Sequence, residues 1–220
     1  IMLFVIVIIS VLATGITSDL FFGTEDSFDY MKETYITFAM FSFMIIFTFL
    51  WVRFYEKRGI SSLGFFKKNM WKDYSFGFVL AFISISLIVG AIYIFGGVKI
   101  NWNYNANTLP FYTFFISLLV LIIQGASEEI IFRGWLMQIL GNRFSPMKSV
   151  IITTILFTLF HAANAGFNIF IALNLILFTL ILTFLILRQK SLWGACAFHT
   201  SWNWVIANIF GFNLSGSEQN

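Results

Sequence analysis

Glu128, Glu129 and Arg133 share one short stretch, QGASEEIIFRG from Gln124 to Gly134, embedded in an apolar run from about Phe111 to Leu140. A charge at bilayer depth costs at least ~2.5–3.5 kcal/mol, so ionisable residues in such a run face a protein interior and mark a pathway or an active site. Two more candidates lie in apolar segments, His161 and His199, and they are the only histidines of the chain.

Helical spacing sorts the two carboxylates. Residues four apart stack on one face, whereas adjacent residues point about 100° apart. Glu129 and Arg133 therefore pair and neutralise each other, which leaves Glu128 as the candidate working carboxylate. A kink at Gly125 or Gly134 would exchange the two roles. His161 follows Phe157 by one turn, and His199 and Asn203 are one turn apart on a single face. Counted from the inner ends of their helices at ~1.5 Å per residue, Glu128 and His161 lie about 20 Å deep and His199 about 12 Å. The four side chains can thus meet in a chamber at mid-membrane.

A glutamate beside a histidine can hold and deprotonate a water. A second histidine with an asparagine can donate to a developing oxyanion, worth roughly 2.7–4 kcal/mol per donor in other hydrolases. Together these groups form a toolkit for hydrolysing an amide bond with activated water. No Gly-x-Ser-x-Gly occurs, Ser127 and Ser201 have no base arranged beside them, and His-Glu-x-x-His is absent. A catalytic zinc held by Glu128, His161 and His199 is nonetheless chemically allowed. The blander readings are a polar clamp for the Glu-Glu-Arg cluster and a carbonyl-bonded neutral imidazole for each histidine; convergence at similar depth favours chemistry.

The elements that position these groups must be membrane helices. The 220 residues are 59% hydrophobic and 20% aromatic but only 10% charged, with a mean hydropathy of +0.88, too few polar residues to cover a soluble globule. The expected class is an all-α, polytopic helical bundle forming a single transmembrane domain over residues 1–220, with its motif-bearing core at about 111–210. Spans are read at about 1–17, 36–52, 75–95, 111–140, 149–162, 167–187 and 192–210, given the ~17–25 residues a helix needs to cross. The first is read as a retained helix rather than a signal peptide, because no basic segment precedes it. The 30-residue fourth run is ~45 Å long if continuous and must tilt, kink or break.

Loop charge orients the bundle. Residues 18–35 are acidic, residues 96–110 are polar with Lys99 their one charge, and the tail 213–220 is polar; all three are assigned to the outside. The run from Arg53 to Asp73 is the most basic, and the loops holding Arg143, Lys148, Arg188 and Lys190 share its side. Ten basic loop residues against two outside predict a cytoplasmic amino terminus by the positive-inside rule. The basic run also carries aromatic residues suited to lying along headgroups and is too short for a nucleic-acid role. Cys196 is the sole cysteine, so no disulfide framework exists.

Three motifs in order on three spans, Glu128-Glu129-x-x-x-Arg133, Phe157-x-x-x-His161 and His199-x-x-x-Asn203, resemble those of the CAAX protease and bacteriocin-processing (Abi) family of intramembrane endopeptidases, which includes the type II CAAX prenyl proteases. The resemblance covers about Phe111–Phe210. It implies a helical bundle with the site sunk in a membrane chamber, Glu128 and His161 activating water, His199 and Asn203 stabilising the oxyanion, and Glu129 with Arg133 supporting the site. Both metalloprotease and metal-free glutamate mechanisms are argued for that family. It commonly has eight spans rather than seven, a difference that a half-buried segment within 59–73 or a missing amino-terminal piece would explain.

The expected function is therefore an intramembrane endopeptidase acting on a peptide or lipid-modified protein, with no certain cofactor. The Phe-, Ile- and Asn-rich composition points to the plasma membrane of an AT-rich bacterium, where an unprenylated leader or signalling peptide is the more natural substrate than a prenylated one. A non-proteolytic scaffold or bacteriocin-immunity protein is the alternative. A proton-coupled transporter is a third, disfavoured by the lack of an inverted repeat and paired broken helices.

Overall fold

Long apolar runs in lipid must satisfy their backbone groups internally, which drives them into helices. The computed structural model describes residues 2–23, 30–99, 111–164 and 166–212. Eight α-helices follow in order: α1 (Met2–Phe22), α2 (Tyr30–Leu50), α3 (Met70–Ile94), α4 (Phe111–Glu129), α5 (Met137–Arg143), α6 (Pro146–Phe160), α7 (Ile169–Gln189) and α8 (Trp193–Trp204). No strand occurs among the described residues. Residues 24–29 of the acidic segment, residues 100–110 of the polar loop and the tail 213–220 lie outside the described residues.

Six helices are long and apolar enough to cross a membrane: α1, α2 with its extension to Tyr55, α3, the continuous rod Phe111–Arg143, α6 with its extension to Ala163, and α7. The chain is an integral membrane protein. The seventh expected span, 192–210, is shorter and more enclosed than these six. It forms α8 and a π-helical end, Val205–Ile209, but is not among the six, and it serves as the protein's interior. Every residue of α8 from Gly194 to Asn203 is buried, with α3 and α4 packed against it. Its Ser, Thr, His and Asn side chains are tolerated because they meet protein rather than lipid.

Close approach needs small residues. A Cβ on Gly77 of α3 would collide with the backbone oxygen of Gly194, and one on Gly125 of α4 would stand 3.2 Å from the backbone nitrogen of Thr200. Both glycines let a neighbour's backbone lie against α8, the device by which membrane helices gain van der Waals contact without a hydrophobic drive. Gly125 thus serves packing rather than a kink. The long fourth run changes winding instead at Ile130–Leu136, a π-helical stretch joining α4 to α5.

At the amino terminus, α1 buries Ile6, Ser10, Thr14 and Ser18 at four-residue intervals. The hydroxyls of Ser10 and Thr14 bond back to the carbonyls one turn earlier, each at 2.8 Å, on the helix that packs with α2.

The basic connection after α2 is more built than its charge implies. A 3₁₀ turn, Ile60–Leu63, fully buries Leu63, Gly64 adopts φ +103°, and the Gly64 carbonyl accepts from the Leu192 amide at 2.9 Å. Trp193 Nε1 donates to the Phe66 carbonyl at 3.0 Å. Residues 62–65 of this connection are buried or half-buried and pinned to the start of α8. Just before it, Glu56 Oε1 accepts from the indoles of Trp135 (2.8 Å) and Trp51 (3.1 Å). Its Oε2 accepts from Arg58 Nε (2.9 Å) and Nη2 (2.6 Å).

Burial alone pushes the Glu56 carboxyl up, but the bonds from Trp135, Arg58 and Trp51 and the Arg58 charge outweigh it, and the group lies below its ordinary range. The unfolded chain therefore takes up this proton first as pH falls. The stabilisation is fully present above the unfolded carboxyl value of about 4.3 and is lost as pH drops through the lower folded value. Melting of wild type and Glu56→Gln in detergent should differ most at neutral pH and begin to draw together only as pH falls below about 4.3; a gap that stayed constant or widened on acidification would contradict this assignment.

Candidate active site

The motif residues meet where α4, α6 and α8 come together beside α7. Glu129 is fully buried and its Oε1 has two partners: Arg133 Nη1 at 2.9 Å and His199 Nδ1 at 2.9 Å. Arg133 is held from three sides. Besides Glu129, its Nη2 donates to Thr179 Oγ1 of α7 at 3.0 Å, and its guanidinium carbon stands 4.4 Å from the centre of the Phe157 ring of α6. The π-helical stretch thus preserves the Glu129–Arg133 pair expected from ideal helix spacing.

Phe157 explains its place one turn before a histidine. Its carbonyl lies 2.9 Å from His161 Nδ1, while its ring takes the Arg133 charge on one contact and packs against the His161 ring at 4.6 Å on another. α6 ends at this point, with His161–Ala163 closing it as a 3₁₀ turn.

The hydrogen bonds fix both tautomers. A carbonyl or a carboxylate can only accept, so His161 Nδ1 donates to Phe157 and His199 Nδ1 donates to Glu129. In the neutral rings each Nε2 then carries a lone pair. Both Nε2 atoms face the same atom, Glu128 Oε2, and each stands 3.9 Å from it. Glu128 Oε2 is itself buried without a hydrogen-bond partner among the described residues. Three acceptors around one gap cannot bond to each other; a donor between them can, and a polar separation beyond 3.5 Å is where a bridging water belongs.

Two imidazole nitrogens and a carboxylate oxygen are the donor set of hydrolytic zinc sites. Their spacing does not fit that metal as placed, because a tetrahedral ion with bonds near 2.1 Å sets its ligand atoms only about 3.4 Å apart. No group of three His, Cys, Asp or Glu side chains among the described residues is disposed to hold a metal ion.

Glu128, His161, His199, Glu129 and Arg133 are therefore in one cluster. Asn203 lies on the same helix as His199, one turn on and buried, with no hydrogen bond to the others among the described residues. Ser127 and Ser201 are buried, and their hydroxyls have no partner among the described residues, so neither has a base. A cavity of about 350 Å³ opens beside the π-helical stretch, walled by Leu63, Met137, Ile186 and Leu192. It reaches Arg133 but is not lined by Glu128, either histidine or Asn203.

Two features of the setting carry sequence signals that lie outside the three motifs. Thr179 and Thr183 are the only polar residues of α7 between Leu175 and Leu187, and they stand four apart on one face, where Thr179 receives Arg133. Glu56 is the sole acid between Arg53 and Lys72.

Residues 109–205 match the family model described as type II CAAX prenyl endopeptidase Rce1-like. Comparison of the chain with curated proteins and with solved structures gave no match.

Proposed function

We propose, from the match of residues 109–205 to the type II CAAX prenyl endopeptidase Rce1-like family, that the chain hydrolyses a peptide bond within the membrane by water activated at Glu128. The observation that carries this reading is the gap between Glu128 Oε2 and the two Nε2 atoms, each 3.9 Å away. A water there donates one hydrogen to Glu128 and the other to a histidine nitrogen, which holds it with its oxygen lone pairs free.

Glu128 takes a proton from this water as the hydroxide oxygen bonds to the substrate carbonyl carbon. The tetrahedral oxyanion then needs donors. Asn203 can supply its amide N–H, and His199 can supply Nε2–H if its ring takes up a proton from solvent before attack, His161 alone then accepting from the water. Glu129 faces Nδ1 and fixes the ring's orientation through the change, a role like that of the carboxylate in a catalytic triad. Collapse of the intermediate breaks the C–N bond, and the proton held by Glu128 passes to the leaving amine. His161, anchored by Phe157, orients the water, and Arg133 keeps Glu129 in place.

The substrate is a peptide with a membrane-embedded segment. The family's prenylated carboxyl-terminal peptides are one form, and unprenylated leader or signalling peptides are the other. The amino terminus is assigned to the cytoplasmic side, and the site is assigned to an intramembrane chamber reached by the peptide.

The test is cleavage of a fluorogenic peptide library, prenylated and unprenylated, by purified protein in liposomes. Wild type should cleave, and His161→Ala should lose about 10²-fold or more in kcat. Equal rates for the two proteins, or no cleavage of any peptide, would remove the assignment. A chelator arm belongs in the same assay, since activity lost on chelation and restored by zinc would replace the metal-free route.

A further inference from the structure

We propose that Glu56 is a positioning residue for the active site, acting through its hydrogen bond with Trp135 on the π-helical stretch Ile130–Leu136. The inference rests on the protease reading above, and Glu56 itself lies outside the matched residues 109–205.

The two oxygens of Glu56 divide their work. Oε2 is held by Arg58, whose Nη1 is itself anchored on Ser62 Oγ at 3.2 Å. Oε1 joins two helical segments that are distant in sequence, through Trp51 after α2 and Trp135 after α4. Trp135 is buried, two residues beyond Arg133 and six beyond Glu129. From the same loop, the Leu63 carbonyl presses on the π-helical stretch so closely that a Cβ on Gly134 would stand 2.9 Å from it.

A π-helical stretch is less favourable than α-helix and persists where contacts hold it, often at functional sites. Between Glu129 and Trp135 the chain can relax towards α winding only by turning its side chains about the helix axis. Such a turn moves Arg133 relative to Glu129, and Glu129 Oε1 is what orients His199. The line of action therefore runs from Glu56 to Trp135, through the backbone to Arg133 and Glu129, and ends on the imidazole beside Glu128. None of these upstream groups touches the gap where water is held, so Glu56 positions the site and does no chemistry there.

The experiment uses the full chain in liposomes with Glu56→Gln, Glu56→Ala, Trp135→Phe, the Glu56→Ala/Trp135→Phe double variant, and Trp51→Phe as a control. Trp135→Phe keeps a ring but removes the N–H. Trp51→Phe removes the other indole bond from the same oxygen without touching the π-helical stretch. Amide exchange over residues 128–137 is read by mass spectrometry alongside kcat and KM. Glu56→Ala and Trp135→Phe should each speed exchange in that stretch and lower kcat about tenfold, the scale of one lost buried hydrogen bond, with KM within about twofold. The double variant should be no worse than the more affected single, and Trp51→Phe should stay near wild type in kcat.

Unchanged exchange, an unchanged kcat despite faster exchange, or losses that multiply in the double variant would each overturn the proposal. Should Glu56→Ala fail to fold, Trp135→Phe and Glu56→Gln answer the same question. Absence of cleavage by wild type would count against the protease reading instead, and exchange would then decide whether Glu56 holds the stretch.

Discussion

Glu128→Gln is expected to lower kcat by about 10²–10⁴-fold, the range of a general base, while melting within a few degrees of wild type. Glutamine keeps the size of the side chain and removes the charge proposed to take the proton from water. It also changes what fills the gap. Its amide can donate to an Nε2 lone pair, so a direct side-chain contact can replace the water proposed to sit there. Folding should be little affected, because Glu128 Oε2 makes no hydrogen bond among the described residues and none is lost. Single-turnover cleavage with the two proteins at matched concentration measures the effect. A Gln variant that retained more than about a tenth of the wild-type rate would show that another group is the base.

Arg133→Met should have the largest effect on folding, about 3–5 kcal/mol, as expected when one partner of a buried ion pair is removed and the other charge stays behind. Arg133 has 1% of its side chain exposed and Glu129 has none, so no solvent reaches the stranded carboxylate. Methionine matches the aliphatic stem but satisfies neither Glu129 nor Thr179. Arg133→Lys should lie between, since it returns the charge to Glu129 without the planar fork that also reaches Thr179 and lies over the Phe157 ring. Thermal melting in detergent, followed by loss of monodisperse protein, orders the three. If Arg133→Met melted with wild type, the pair would not be what holds α4, α6 and α7 together here.

The two carboxylates are thus used differently, and part of that difference was readable in one dimension. Four-residue spacing paired Glu129 with Arg133, and the structure keeps the pair even though the winding changes right after Glu129. Spacing could not reveal that Glu129 also receives His199, a residue 70 positions away, nor that Thr179 is Arg133's second acceptor. A helix seen alone says which side chains share its face. It does not say which other helix that face meets.

Hydropathy was similarly reliable for the long apolar helices and silent on how far protein encloses the last one. Six of the seven expected spans are long, apolar helices because lipid demands an apolar exterior. The seventh stretch, 192–210, is less apolar because α8 is wrapped by protein, and glycines at Gly77 and Gly125 allow that close wrapping. Positive charge marked the loop 53–73 as a surface connection, yet the acid within it, Glu56, ties it to the motif-bearing helix.

By itself the sequence determined the membrane class, the helical segments and the five ionisable groups that had to be kept from lipid, since each follows from transfer free energy and helical period, properties of a segment and its solvent. The meeting of Glu128 Oε2 with two imidazole Nε2 atoms, the tautomers that aim both lone pairs at it, and the clamp at Glu56 were decided only in the tertiary structure. Each depends on which backbone carbonyl, carboxylate or indole a distant helix presents, and that is set by packing rather than by local order along the chain.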